Sequence, residues 1–493
     1  MKQPILLFAL LCATTFTQAQ IGIGTASPNA ASQLEVSSTS KGFLPPRMTA
    51  AQRNAISTPV AGLMVWCSNC GSNGEIQIYN GTEWVNFIGG TRQMTAASTK
   101  LGSDIDGEAQ GDRSGYSVSI SSDGTKVAIG ALDNSGGGSN AGQVRVYQYS
   151  NNAWAQIGLD IDGEAAGNQS GMSVALSGDG TTVAIGAPGN SGINGAYSGH
   201  VRVYRNNSGT WTKIGSDIDG EAANDGSGRS VAISSDGNIV AIGTPNNGTS
   251  NSRRGQVRVY QYSSSTWTQI GADIDGGSLY EESGEAVAIS SDGTIVAIGA
   301  PQNSNGNGNG AGQVRVYKNI AGTWTKLGAD IDGEAESDVS GSSVAISSDG
   351  TIVAIGAKWN DGGGNSAGQV RVYQYINSSW TKIGSDIDGS AANDQAGTSV
   401  AISSDGTIVA IGATQSNFMG PAYAGYVKLY KNVSGTWTLI GQKIEGEASS
   451  DASGSSVSIS SNGTIVGIGA PANSGVNGSG SGQVRVYYHT GAL

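Results

Sequence analysis

Asp160-Ile161-Asp162-Gly163 is one copy of a phrase that this chain repeats. It recurs from Asp104, Asp217, Asp273, Asp330 and Asp386, and in a worn form as Lys443-Ile444-Glu445-Gly446. The steps between copies are 56, 57, 56, 57, 56 and 57 residues. A period this regular means one supersecondary unit stacked on itself. Between copies lie only short apolar runs and glycine-rich turns, so the unit is a β-blade and seven of them make a propeller.

The second copy shows the blade. Ser173 to Ser177 reads as a first strand, and Asp179-Gly180 as a two-residue type I′ turn. Thr182 to Gly186 is the second strand, a loop runs from Pro188 to Gly199, and His200 to Tyr204 is the third. Trp211 to Gly215 is the fourth. Side chains alternate faces along a strand. Here both faces are apolar or small but unequal in size, as stacked blades require, whereas an open sandwich would show a charged outer face. Trp154, Trp267, Trp324, Trp380 and Trp437 occupy the place of Trp211. Each is expected to cover the outer strand, a burial worth roughly 4–6 kcal/mol as an upper bound.

The seventh blade has no fourth strand after Val484 to Tyr487. Ser98-Thr99-Lys100-Leu101-Gly102 matches Trp211 to Gly215, with Ser98 in the tryptophan place. The N-terminal strand is therefore expected to close the ring and remove the open edge. The predicted fold class is all-β: a seven-bladed propeller of four-stranded antiparallel blades over 98–493, with a small, mostly β module over 21–90 and a linker over 91–97.

Residues 1–20 read as a signal peptide, with Lys2, an apolar run from Ile5 to Leu11, and a small-residue cleavage region near Ala19. No later run reaches transmembrane length. The formal net charge is −12, and no cluster of Lys and Arg exists to displace counterions from nucleic acid. Gly is 78 of 493 residues, which the turns account for. In the module, Thr49-Ala50-Ala51-Gln52 is a capping box opening a short helix. Strands are expected over 61–66, 75–79 and 82–87, with an Asn80-Gly81 turn. Cys67 and Cys70 suit a disulfide or spare thiols, with metal binding or redox chemistry as the alternatives. So small a module leans on copies of itself or docks on the propeller.

Strand order places the long loops and the Asp-Ile-Asp-Gly segments on one face, the loop face. Carboxylates gather there as Asp104, Asp106, Glu108 and Asp112; Asp217, Asp219, Glu221 and Asp225; and Asp330, Asp332, Glu334 and Asp338. Copy two adds Asp160, Asp162 and Glu164. Oxygen ligands at alternating positions suit calcium. The competing reading is that they cap turns and pair with the third-strand arginines Arg145, Arg202, Arg258, Arg315, Arg371 and Arg485. With two histidines, no His-Glu-x-x-His motif and no phosphate loop, catalysis has little to draw on. Residues that break the repeat are the binding candidates: Arg253, Arg254, Tyr280, Glu281, Glu282, Lys358, Trp359, Phe418 and Met419.

Ser-Val-Ala-Ile-Ser, Asp-Gly, Val-Ala-Ile-Gly-Ala-Pro and Val-Arg-Val-Tyr together resemble FG-GAP repeats, the blades of integrin-α-type propellers. The resemblance covers 98–493 and is clearest over Val183 to Tyr204 and Ile295 to Tyr317. It implies extracellular placement and adhesion to a protein or glycan. The family's calcium loop between first and second strands is here a short Ser-Asp-Gly turn, so none of those ligands carries over. Its phenylalanine is also missing, with Tyr116 and Met172 standing there. Gly42 to Thr49 resembles modules at the start of secreted bacterial surface proteins and segments of phage tail fibres. The expected function is a secreted or surface-exposed, non-catalytic binding propeller. A carbohydrate-active lyase or hydrolase on the same scaffold, or a purely structural repeat protein, are the alternatives. Relatives of this kind often end in a sorting domain for export and anchoring; here the last blade is also the last segment.

Overall fold

A computed structural model describes residues 21–23, 34–36, 44–68, 70, 75–79, 84–86, 98–248, 252–415 and 424–489. The chain divides into two compact units, Met1–Gln93 and Met94–Leu493. The signal segment, the whole linker over 91–97 and the pair Phe418 and Met419 lie outside the described residues.

In the first unit, Arg47–Met48, Met64–Cys67, Glu75–Tyr79 and Trp84–Asn86 form one four-stranded sheet. Its first pairing is parallel, and that strand was not expected from the sequence. Thr49 caps the helix Ala50–Asn54 with a complete capping box. Cys67 and Cys70 are joined in a disulfide. Ile21–Ile23 pairs with Leu34–Val36 in parallel.

The second unit contains seven antiparallel sheets of four main strands among the described residues. In blade two these are Ser173–Leu176, Thr182–Ala187, His200–Asn207 and Thr210–Lys213. The Ile-Asp of the repeated phrase is not loop, as the sequence suggested, but a continuation of the outer strand. Ile218–Asp219 pairs with Val201 and His200. That placement buries the isoleucine of each phrase: Ile105, Ile161, Ile218, Ile274, Ile331 and Ile387 are 4–6% exposed. The apolar residues of neighbouring blades interleave, as where Val144 and Val146 pack with Val174, Leu176 and Ile185.

One turn type differs from expectation. At Asp123-Gly124 only the glycine has positive φ, +74°. The turn carries a Gly124 N–H to Ser121 carbonyl bond, so it is a type I turn followed by a glycine bulge. Asp123 keeps a right-handed backbone because its carboxylate accepts from the Ser121 hydroxyl and from Thr125 N–H and Oγ1. Double positive φ appears at the third-to-fourth turn instead, at Asn151 (51°) and Asn152 (61°).

The ring closes twice. At the axis, Ser122 N–H donates to the Gly178 carbonyl, Gly178 to Ser235, and so on through Ser291, Ser348, Ser404 and Ser461. Ser461 N–H then donates to Ser122, completing a belt of seven backbone bonds. At the rim, Thr99–Lys100 pairs antiparallel with Tyr488 and Tyr487, and Ile105–Asp106 pairs with Val484 and Gln483. The seventh blade thus takes its outer strand from the start of the unit, as the sequence predicted.

Each of the six outer-strand tryptophans links one blade to the one before it. Trp211 Nε1–H donates to the Ile157 carbonyl at 2.8 Å, and Trp437 to Ile383 at 2.8 Å. The matching carbonyl at the last junction is Ile440, three residues after Trp437, but Ser98 supplies no indole to reach it. His489 fills the vacancy: it is fully buried, and its Nε2 lies 3.0 Å from the Ile440 oxygen.

Candidate functional site

The loop face is built on inter-blade locks made by the third-strand arginines. Arg145, Arg258, Arg371 and Arg485 are each 4–6% exposed. Their Nη2 groups donate to the carbonyls of Asp106, Asp219, Asp332 and Glu445. On the outer side, Arg145 approaches Glu108 at 3.6 Å, Arg371 approaches Glu334 at 3.5 Å and Arg485 approaches Glu447 at 3.7 Å.

These contacts dispose of the residues expected to hold calcium. The first Asp of each phrase answers the outer strand: Asp104 pairs with Lys100 at 2.7 Å, Asp217 with Lys213 at 2.5 Å and Asp330 with Lys326 at 2.9 Å. At the second Asp, Asp106 and Asp332 accept from Gln483 and Gln313, while the Asp219 carbonyl is taken by Arg258. Glu108, Glu221 and Glu334 face the arginines. Asp112, Asp225 and Asp338 are buried and accept from the backbone N–H of Ala109, Ala222 and Ala335. The four carboxylates of the first and third sets therefore point at four different partners, as do Asp217, Glu221 and Asp225 of the second. The capping-and-pairing reading describes them, and they do not converge on one ion. Among the described residues, one trio brings ligand atoms within 4.8 Å: Glu164, His200 and Asp217. Arg202 already bridges this trio, contacting Glu164 and approaching Asp217 at 3.4 Å.

Blade four departs from the others. Gly277 stands where five other copies carry the Glu of the phrase and the sixth carries Ser390. Glu281, a binding candidate from the sequence, has no exposure. It grips Arg315 with both oxygens, at 2.6 and 2.9 Å, and accepts from Asn303 and the Gly277 and Ser278 amides. Burial alone would raise its carboxyl, but Arg315 and the other donors hold it below the usual range. Glu281 is therefore an internal lock, and a ligand could not reach it.

Its neighbours behave differently. A cleft of about 670 Å³ opens on the loop face across blades two to four, lined by Met172, Tyr197, Arg229, Arg253, Glu282 and Glu285, among others. Arg229 pairs with Glu285 at 2.9 Å, and both its Nε and Nη2 donate. Arg253 approaches Glu282 at 3.7 Å. Burial pushes Glu282 up, with the charge of Glu285 adding to it. Burial likewise pushes the Lys358 ammonium down, opposed by Glu285 and reinforced by Arg229. Lys358 also lies over the Trp359 ring, 5.5 Å from its centroid. Tyr280 donates its N–H to Ser252 beside Arg253 and leaves its side chain half exposed. Arg254 is exposed and acts on Asp275, away from the cleft lining.

The structure thus gathers Arg253, Glu282 and Lys358 around a pair that sequence reasoning missed. The signal was present. The residue after each Ser/Ala-Gly before the first strand is Tyr116, Met172, Arg229, Glu285, Ser342, Thr398 and Ser455. Four large side chains in succession are followed by three small hydroxyl ones, so this position is asymmetric around the ring.

Residues 22–101 match the family model described as a phage tail like trimerisation region. No curated protein sequence matches the chain. A similar solved structure is a Bacteroides uniformis protein provisionally named a 6-phosphogluconolactonase. It is 12% identical, with a TM-score of 0.48, over 77% of this chain and 94% of that one.

Proposed function

We propose that the chain is an exported binding protein that assembles as a trimer and presents the blade two to blade four cleft to an extracellular protein or glycan, without catalysis. One observation carries the reading. Charged side chains that break the sevenfold repeat meet in one concave site, while the repeated carboxylates are spent on holding blades together. A cleft of this size lies within the ~300–1,000 Å³ of ordinary ligand sites. Export is supported by the apolar leader-like start. Threefold assembly is supported by the match over 22–101. Adhesion is supported by the FG-GAP resemblance of the blades. The enzyme alternative draws on Glu282 and Glu285, but Arg229 already engages Glu285. Two measurements test the proposal. Light scattering on the full chain is expected to give three copies, and a monomer removes the assembly. Glycan-array and pull-down binding is expected to fall on Arg253→Ala and not on Arg254→Ala; equal binding by both variants removes the cleft from the account.

A further inference from the structure

The cleft's charge narrows its ligand, on the premise that it is a binding site. The chain as a whole carries −12. Here Arg229, Arg253 and Lys358 stand against Glu282 and Glu285, three cations against two carboxylates. The local excess is opposite in sign to the molecule. Two of the cations are paired. Lys358 is not: no ion pair closes on it among the described residues, although it lies close enough to feel both Glu285 and Arg229. It stands where blades two, three, four and seven carry Pro188, Pro245, Pro301 and Pro471. A proline in four blades is thus replaced in the fifth by a half-buried lysine whose ammonium lies near the Arg229–Glu285 pair of the cleft. A desolvated cation lacking a countercharge is stabilised by any anion that enters.

The remaining lining is neutral and polar. Gln169, Asn224 and Asn246 offer amides, which pair with hydroxyl groups in either direction. Tyr197 in the lining stays 59% exposed, and Trp359, outside the lining beneath the Lys358 ammonium, stays 44% exposed, both as flat apolar faces. Amides, exposed rings and concavity suit sugar rings better than a folded protein surface.

We propose that this cleft binds an anionic glycan, whose carboxylate or sulfate sits between Arg253 and Lys358 beside the Arg229–Glu285 pair. The sugar hydroxyls meet the amides, and Tyr197 or Trp359 stacks on a ring face. Binding of this kind weakens with salt.

The experiment uses the full chain and titration calorimetry with matched polymers. The arms are polygalacturonate against its methyl ester, and dextran sulfate against dextran. Within each pair the backbone is the same and the charge is absent from one member. The charged member of at least one pair is expected to bind at least tenfold more tightly, and the pair that shows it identifies carboxylate or sulfate. Lys358→Gln and Arg253→Gln are each expected to lose at least tenfold on that polymer, with melting unchanged. Lys358→Arg is expected to retain binding. Equal binding of charged and neutral members overturns the anionic assignment while leaving a glycan-binding cleft. Binding of none of the four overturns the anionic assignment, and the binding reading then stands or falls on the array and pull-down. Binding unaffected by both variants overturns the placement.

Discussion

Replacing His489 by alanine probes the seam of the ring. The wild-type imidazole has no exposure, and its Nε2 satisfies a carbonyl of Ile440, itself 1% exposed. Alanine leaves that oxygen without its partner, a penalty of ~1–3 kcal/mol. It also empties the imidazole's volume, and large-to-small core changes cost ~2–5 kcal/mol. Partial relaxation of the surrounding side chains into the space puts the expected total at about 3 kcal/mol, at the low end of the sum. The propeller unit spans Met94–Leu493. At ~2.1 cal/mol/K per residue, its unfolding entropy is roughly 0.8 kcal/mol/K, and the melting temperature should fall by about 3–4 °C. The loss should also be local. Amide exchange at Leu101, which donates to Val486, should accelerate more than at Ile214, which donates to Val203 in an interior blade. Scanning calorimetry and hydrogen exchange read both quantities. A drop under 1 °C with unchanged exchange at Leu101 would refute the view that His489 stands in for the seventh tryptophan.

Other predictions address the turns, the axis and blade four. Burial would raise Asp123, Asp179, Asp236, Asp292, Asp349 and Asp405, yet their Ser and Thr or Asn donors outweigh it and hold them below the usual carboxylate value. A depressed folded pKa gives stability that is present above the unfolded value, ~3.9, and is lost as pH falls through the folded one. Urea midpoints should therefore decline below about pH 4, and Asp292→Asn, copying Asn462, should soften that decline with little change at pH 7. A Cβ at Gly178 would lie 2.2 Å from Ser235 Oγ and 2.9 Å from Ser122 Oγ. Gly178→Ser should cost ~1–3 kcal/mol by chemical denaturation, and adding Ser235→Gly should recover most of it. Glu281→Ala strands Arg315 and should cost ~3–5 kcal/mol. Adding Gly277→Glu should restore part of that loss, because the new carboxylate recreates the pairing of the other blades; no recovery counts against that reading.

The repeat period made the fold legible, because seven equal steps leave few architectures. The closing strand was legible as well, since Ser98 to Gly102 carries the outer-strand pattern outside its expected place. The turn type at Asp-Gly was misread. The dipeptide permits two positive φ values, but the Asp side chain prefers to accept from Ser and Thr, and that keeps its own backbone right-handed. The carboxylates were legible as a pattern and ambiguous as chemistry. Calcium ligation and inter-blade pairing use the same residue types, and the deciding fact is whether four oxygens face one point. Glu281 looked like an exposed irregularity, but it compensates for Gly277, four residues earlier. The cleft was half visible. Arg253, Glu282 and Lys358 broke the repeat plainly, whereas Arg229 and Glu285 sat one residue after a repeated glycine, just outside the expected strand, and were not singled out. His489 was noticed only for being a histidine, because its partner is remote in sequence.

The seam has a mechanical consequence. Tension arriving from the N-terminal module along the chain enters the propeller at Thr99–Lys100, the first strand of that unit among the described residues. Every other blade receives such a load only after the seventh has carried it. Blade seven is therefore the link that yields first when a bound surface and the module are drawn apart, and how firmly it is fastened sets how hard the molecule can be pulled.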